Sequence, residues 1–343
     1  MKNGDGRGNL GEETRADRLA LFTDSFDGLC VETTKRCNFR CRFCYASSNR
    51  SVPAEPRVTD EMIERVASEV RRNNLAKVTI SGGEPLIDRE LLMRVLRAMR
   101  KTGAAINLNT NLSLITDDLA KELTEYLDPE TYAFTSLLSP VEERCDAVTG
   151  VSGSWRRVLN GIETCRRRNI PVSVNFTISR DNVCDVEAIE GFASKYGVDR
   201  VSISQVIPPS YDRDSETNRL RPDEIKRIAD ALVGIHERLG IPVASSHPLP
   251  LCVIGDDGKY DAIESAMCRT GWNYCAVSLF SGKVFACSQE DRDYGNIYED
   301  PLAECLMRMR PDHGFENLAE KCRNCGLLRR CGGECRWSSC GSC

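Results

Sequence analysis

A chain of 343 residues, 41% of them hydrophobic, is long enough to bury one large core and a smaller appended one. Its 46 Lys and Arg against 51 Asp and Glu leave a formal charge of −5, which offers no global attraction to a polyanion and excludes nucleic acid as the expected partner. With 18 Cys and 3 His, no export signal at the start and no apolar run of membrane length, the chain is expected in the cytoplasm, off the membrane, with thiolate metal sites rather than disulfides.

Residues 1–27 are polar and charged and read as a flexible leader. From Gly28, short β-rich runs alternate with helical patterns. Strands are expected at Leu29–Thr34, Lys77–Ser81, Ala105–Asn109, Tyr132–Leu137, Val172–Ile178 and Arg200–Gln205. Between them, Met62, Ile63, Val66 and Val70, then Leu91, Leu92, Val95, Leu96 and Met99, then Trp155, Val158, Leu159 and Ile162 recur at helical spacing. Thr59 and Ser154 are expected as helix caps, and Pro222 in the first turn of a later helix. Strand–helix alternation implies an α/β fold with a parallel sheet and right-handed crossovers: a partial (β/α)6 TIM barrel over residues 28–240, with ligands at the carboxyl ends of its strands. Residues 241–267 are rich in Pro and Gly and read as a linker. Residues 268–343 form a small cysteine-rich domain, whose thin apolar core calls for metal staples.

The first chemical signal is Cys37, Cys41 and Cys44, spaced CxxxCxxC directly after the first strand. Three thiolates on one loop suit three irons of a cubane whose fourth iron stays open, while the zinc alternative lacks a nearby His to complete four ligands. This loop resembles the signature of the radical SAM superfamily. The resemblance implies that S-adenosylmethionine chelates the open iron and that Phe43 lies near its adenine. After the second strand, Ser81-Gly82-Gly83-Glu84-Pro85 is similar to the family's methionine-binding segment. Two glycines there let backbone groups approach a ligand, and Glu84 is placed to accept hydrogen bonds from an amine. Thr110-Asn111 echoes a Thr-Asn-Gly segment of relatives, with Leu112 in place of the glycine. Ser136-Leu137-Leu138-Ser139 stands where relatives often read Ser-Leu-Asp-Gly, so only Ser136 is carried over as a S-adenosylmethionine contact, together with Asn175 on the fifth strand.

The tail holds Cys268, Cys275 and Cys287, then Cys322, Cys325, Cys331 and Cys335 as CxxCxxxxxCxxxC, then Cys340 and Cys343. With Gly282 five residues before Cys287, this pattern is similar to the SPASM extension of radical SAM enzymes. The likeness implies two auxiliary [4Fe-4S] clusters. Cys268, Cys275, Cys287 and Cys335 would hold the inner one; Cys322, Cys325, Cys331 and either Cys340 or Cys343 would hold the outer. Taken alone, the paired CxxC-type elements also read as a zinc ribbon. Cys30, Cys145, Cys165, Cys184, Cys252 and Cys305 are read as small core residues without chemistry.

The resemblance as a whole implies an oxidoreductase with three [4Fe-4S] clusters. It would cleave S-adenosylmethionine reductively to a 5′-deoxyadenosyl radical, with electrons from a flavodoxin- or ferredoxin-type reductant, and abstract a hydrogen atom from its substrate. Oxidative crosslinking or dehydrogenation of a ribosomally synthesised peptide is the leading reading. The 27 residues before Gly28 are too few to fold a leader-recognition domain, so such a peptide would need a separate recognition protein or none. The alternatives are a dehydrogenase or decarboxylase acting on a small metabolite or cofactor precursor, and a non-catalytic electron carrier. Glu290 and Asp291, just after Cys287, are positional candidates for a base.

Overall fold

The computed structural model describes residues 27–335 apart from 49, 51–53, 128–130, 208–218, 266, 269 and 334. Residues 1–26, and with them almost all of the expected leader, lie outside the described residues, as do Cys340 and Cys343.

Strands β1 (Gly28–Glu32), β2 (Lys77–Ser81), β3 (Ala105–Asn109), β4 (Ala133–Ser136), β5 (Val172–Ile178) and β6 (Arg200–Gln205) pair in parallel and in chain order, as the alternating pattern requires. The crossovers are helices whose apolar stripes face the sheet. Helix α1 (Asp60–Arg72) buries Ile63, Val66 and Val70, and α2 (Arg89–Arg100) buries Leu91, Leu92, Val95, Leu96 and Met99. Thr59 caps α1 by accepting from Met62 N at 3.3 Å, and Asp88 caps α2 in the same way. Helices α3 (Asp117–Leu123) and α4 (Glu142–Thr149) follow β3 and β4.

In α5 (Ser154–Arg167) the expected cap shifts by one residue. Ser154 is the first helical residue, and the Asp146 carboxylate takes the cap's role by accepting from Trp155 N at 2.9 Å and Ser154 Oγ at 2.8 Å. A carboxylate reaching across from α4 satisfies the amides that a local hydroxyl would have served. Helix α6 (Ala188–Tyr196) precedes β6, and Pro222 opens α7 (Pro222–Leu239) as expected.

The sheet does not stop at β6. Residues 241–267, expected to be a linker, carry β7 (Val243–Ser245), the short helix α8 (Leu251–Ile254) and β8 (Ile263–Ser265), and both strands continue the parallel array. At the other edge β9 (Tyr274–Ser278) pairs in parallel with β1, followed by antiparallel β10 (Lys283–Phe285) and β11 (Asp293–Asn296). One sheet therefore runs β11-β10-β9-β1-β2-β3-β4-β5-β6-β7-β8. Three-residue strands leave little periodicity to read, which is why Pro- and Gly-rich text hides β7 and β8.

The C-terminal helices α9 (Leu302–His313), α10 (Glu320–Arg323) and α11 (Leu328–Cys331) complete the fold. A buried polar seam ties this region to the barrel: Glu69 of α1 is fully buried, accepts from Leu302 N at 2.9 Å, and is bridged by Arg65, whose guanidinium also reaches the carbonyls of Ile297 and Asp300. No described helix is long and apolar enough to cross a membrane.

Candidate active site and thiol clusters

Alternation along β1 sorts its side chains onto two faces. Leu29 and Val31 join the core beneath the helices, whereas Cys30 and Glu32 face the inside of the curved sheet. The chain then turns at Thr33–Arg36 into the loop that bears Cys37, Cys41 and Cys44. What holds this loop is the glycine pair after β2. Gly83 N donates to Thr34 O, and Glu84 N donates to Arg36 O at 2.8 Å. A Cβ on Gly83 would lie 2.6 Å from the Lys35 carbonyl oxygen, and Gly82 has φ +148 with its own missing Cβ 2.5 Å from Thr34 O. Only glycine allows that approach, so the pair seats the thiol-bearing loop as well as leaving backbone open to a ligand.

Glu84 is already engaged by the protein itself. Its buried carboxylate accepts from Leu86 N at 2.9 Å, Thr110 Oγ1 at 2.6 Å and Asn111 N at 2.7 Å. Burial raises its pKa, and these three donors oppose the rise. The same network reaches the thiols: Asn111 Nδ2 donates to Asn38 Oδ1 at 2.9 Å and lies 3.9 Å from Cys37 Sγ. Glu84 thus locks the loops after β2 and β3 against the cysteine loop. The Thr110-Asn111 echo is part of that lock, and Leu112, where relatives carry glycine, takes a glycine-like φ of +57 while buried against Gly161.

Cys37, Cys41 and Cys44 are half-buried, none is in a disulfide, and their thiols are close enough to raise one another. Burial is the first cause, pushing Cys37 up to about 11 and Cys41 higher still. Neutral thiols crowded together on a loop are a donor set that a cationic iron cluster would stabilise as thiolates, so the residues fit such a group. Phe43 is half-buried and packs against the core edge. Ser136 and Asn175 are cross-strand partners in the β4–β5 register. Asn175 Oδ1 accepts from Ser202 Oγ at 3.1 Å and Ser204 Oγ at 2.9 Å, so its carbonyl is engaged by the sheet's inner hydroxyls.

One residue that sequence reasoning missed stands at the end of β1. Glu32 is 7% exposed, and burial pushes its pKa up to about 7. Its near neighbours are Cys30, Tyr45 and Ser288. Tyr45 Oη lies 3.2 Å from Ser81 Oγ, and Ser288 Oγ lies 3.7 Å from Cys30 Sγ. A charged residue closing an otherwise apolar strand, GLCVE, was the available signal. Glu290, by contrast, accepts from Tyr294 Oη at 3.0 Å and lies 3.3 Å from His313 Nε2, a buried packing contact of the tail.

The tail thiols form two groups. Cys287 has Cys268, Thr270 and Cys30 around it, and burial pushes it up to about 12. Cys275 is not with them. It follows Tyr274 on β9, so its side chain takes the opposite face and joins the core beside Cys305, while Tyr274 faces Cys30 and Cys287. Cys335 is buried. Cys322, Cys325 and Cys331 instead line a cleft at the far end of the tail, together with Pro250, Leu328 and Cys252. Among the described residues no three ligand-type side chains converge tightly enough for a single bare ion.

Comparison with known proteins agrees with this geometry. Residues 31–193 match the Radical SAM superfamily. The chain is 27% identical over 323 residues to AdoMet-dependent heme synthase of Methanosarcina barkeri, covering 89% of each chain. It is 26% identical over 320 residues to the mycofactocin maturase MftC of Mycobacterium tuberculosis, covering 90% of this chain and 77% of that one. Among solved structures, Streptococcus suis SuiB bound to S-adenosylmethionine superposes with a TM-score of 0.71 at 17% identity, covering 91% of this chain and 73% of that one. The matched region opens in β1 and takes in the thiol loop, the glycine pair and the Glu84 lock, and on that ground residues 31–193 are a radical SAM domain.

Proposed function

We propose that this radical SAM enzyme oxidises a ribosomally made peptide bound at the carboxyl end of β1, between the Cys37–Cys44 loop and the tail thiols. The observation that carries the reading is the continuity of β1 with β9: Glu32 follows Cys30 on the inner face, and Ser288, next to Cys287, reaches Cys30 from the tail. A substrate at Glu32 would have the radical-generating loop on one side and auxiliary thiols on the other. When bound, the clusters and S-adenosylmethionine supply the one-electron chemistry, a 5′-deoxyadenosyl radical at the first site and an electron acceptor at the second.

The chain's own residues supply position and proton handling. Cys37, Cys41 and Cys44 would hold the first cluster. Cys268, Cys287 and Cys335 would each contribute a ligand to the inner auxiliary one, and Cys322, Cys325 and Cys331 to the outer. The Gly82–Gly83 backbone would meet the methionine end of S-adenosylmethionine, with Phe43, Ser136 and Asn175 at the remainder. Glu32 is the proposed base. A carboxylate with its pKa raised to about 7 can accept, near neutral pH, the proton that leaves the atom next to the substrate radical as the radical's electron passes to the acceptor at the second site. Peptide as the substrate class is supported by the likeness to a maturase over 90% of this chain and 77% of that one, and by the shared fold with SuiB, which has been seen bound to its precursor peptide. The electron donor would be a flavodoxin or ferredoxin.

A second reading, oxidation of a tetrapyrrole or similar cofactor precursor, is favoured by one observation. The likeness to the heme synthase spans 89% of both chains, more of that relative's length than is matched in the maturase. Deuterated candidate substrates, incubated with reduced, anaerobically reconstituted enzyme, separate the two. Deuterium entering 5′-deoxyadenosine from a peptide supports the first reading. Transfer only from a porphyrin replaces it with the second. A reduced, cluster-loaded protein that never cleaves S-adenosylmethionine would sink both.

A further inference from the structure

We propose that Cys252 is the fourth ligand of the outer auxiliary cluster, completing Cys322, Cys325 and Cys331 from a segment on the barrel side of the molecule. The inference rests on the reading of the tail as a cluster-binding region and adds to it a residue read from sequence as a small core cysteine. Four thiols line one cleft in the tail: Cys322 and Cys325 around α10, Cys331 at the end of α11, and Cys252 on α8. Apart from the thiols the lining is apolar, with Pro250, Leu327 and Leu328. That setting shields the sulfurs in part, with Cys322, Cys325 and Cys331 half-buried and Cys252 exposed.

Two further contacts hold α8 over the cleft. Cys331 Sγ lies 3.8 Å from Leu249 O, and the thiols of Cys252 and Cys325 lie near it. Arg330, the residue before Cys331, pairs with Asp261 at 3.0 Å and with Asp256, both just beyond α8. An exposed ion pair of this kind contributes little stability, but it fixes which segment faces which.

Exposure distinguishes Cys252 from cysteines that only fill space. Cys145, Cys165 and Cys305 are 1%, 0% and 0% exposed, as packing residues are, whereas Cys252 is exposed at the mouth of a cleft with three other thiols. A cubane meant to pass electrons rather than bind substrate closes all four irons with protein ligands. Three tail thiols cannot do so alone, and Cys252 supplies the fourth without any contribution from residues beyond Cys335. The consequence is topological: the cluster would tie the turn between β7 and β8 to the C-terminal helices, so that metal binding joins barrel and tail.

The test uses full-length protein carrying Cys37→Ala, Cys41→Ala and Cys44→Ala, reconstituted without oxygen, so that all remaining iron belongs to the tail. Into it are placed Cys252→Ala, Cys252→Ser, Cys322→Ala, and the pair Cys340→Ala with Cys343→Ala. Cys252→Ala and Cys322→Ala are each expected to lose about four irons and the same component of the reduced EPR spectrum. The terminal pair should keep both, and Cys252→Ser should shift that component through oxygen ligation. Loss of four irons in the terminal pair, with iron and spectrum intact in Cys252→Ala, would overturn the assignment and leave the outer cluster standing. An iron-free parent, or no effect of Cys322→Ala, would remove the cluster reading itself and the assignment with it. Far-UV circular dichroism of the iron-free forms, expected to match the parent because Cys252 is exposed, separates lost ligation from lost folding.

Discussion

The thiols of Cys37, Cys41 and Cys44 stand on a single loop, whereas those of Cys252, Cys322, Cys325 and Cys331 come to one cleft from two segments far apart in the chain. In the first group the spacing itself constrains the geometry, because a loop of a few residues has few ways to separate its side chains. What remains is to aim the loop, and Gly82, Gly83, Glu84 and Asn111 do so through backbone and buried hydrogen bonds. In the second group spacing fixes only part of the set. The position of Cys252 depends on β7 and β8 extending the barrel sheet until α8 overhangs the tail. Local sites tolerate a loosened scaffold better than assembled ones.

The largest effect expected from breaking the local group is that of Cys41→Ala, which should abolish formation of 5′-deoxyadenosine and remove about four irons while leaving tail iron in place. Iron analysis and product chromatography check both. Next comes Glu32→Gln. It should keep cleavage of S-adenosylmethionine but lower substrate oxidation by about 10²–10⁴-fold, the usual range for a lost general base. Product formation by the parent should rise with pH through about 7, as the raised carboxyl ionises, and the variant should lack that limb. Stability has the opposite slope. Folding raises the Glu32 pKa from 4.5 to about 7, so the folded protein binds more protons across that interval and loses stability as pH rises through it; denaturation of Glu32→Gln should lack that contribution.

Gly83→Ala tests the aiming of the loop. A Cβ 2.6 Å from the Lys35 carbonyl forces β1 and β2 termini apart, with an expected cost of about 3 kcal/mol and weakened binding of S-adenosylmethionine, read by thermal melting with and without the ligand. Leu112→Gly should have the smallest effect. It relieves a left-handed backbone conformation worth about 1 kcal/mol but empties a fully buried position that contributes more, for a net loss of about 2 kcal/mol by denaturant titration.

Much of the barrel was legible because burial and periodicity act over a few residues. The six parallel strands fall where β-rich runs alternate with amphipathic helices, and the motif loops fall at their carboxyl ends. Strands β7 and β8 were not legible, being three residues long in Pro- and Gly-rich text. Glu84 was recognised, but nothing in the motif reveals that Leu86, Thr110 and Asn111 also use its carboxylate. Glu32 went unnoticed because its raised pKa comes from burial at the meeting of β1 and the tail.

The cysteine pattern by itself determined the kind of chemistry, since three thiols on one loop and a run of spaced thiols in the tail carry their donor chemistry wherever the chain folds. Which thiols share a site was decided by tertiary structure. Strand alternation on β9 turns Cys275 into the core, and the continuation of the sheet through β7 and β8 brings Cys252 to Cys331. The physical reason is that ligand identity is a property of a side chain, whereas a shared site depends on which faces of which elements meet, and that is set by the packing of the whole sheet.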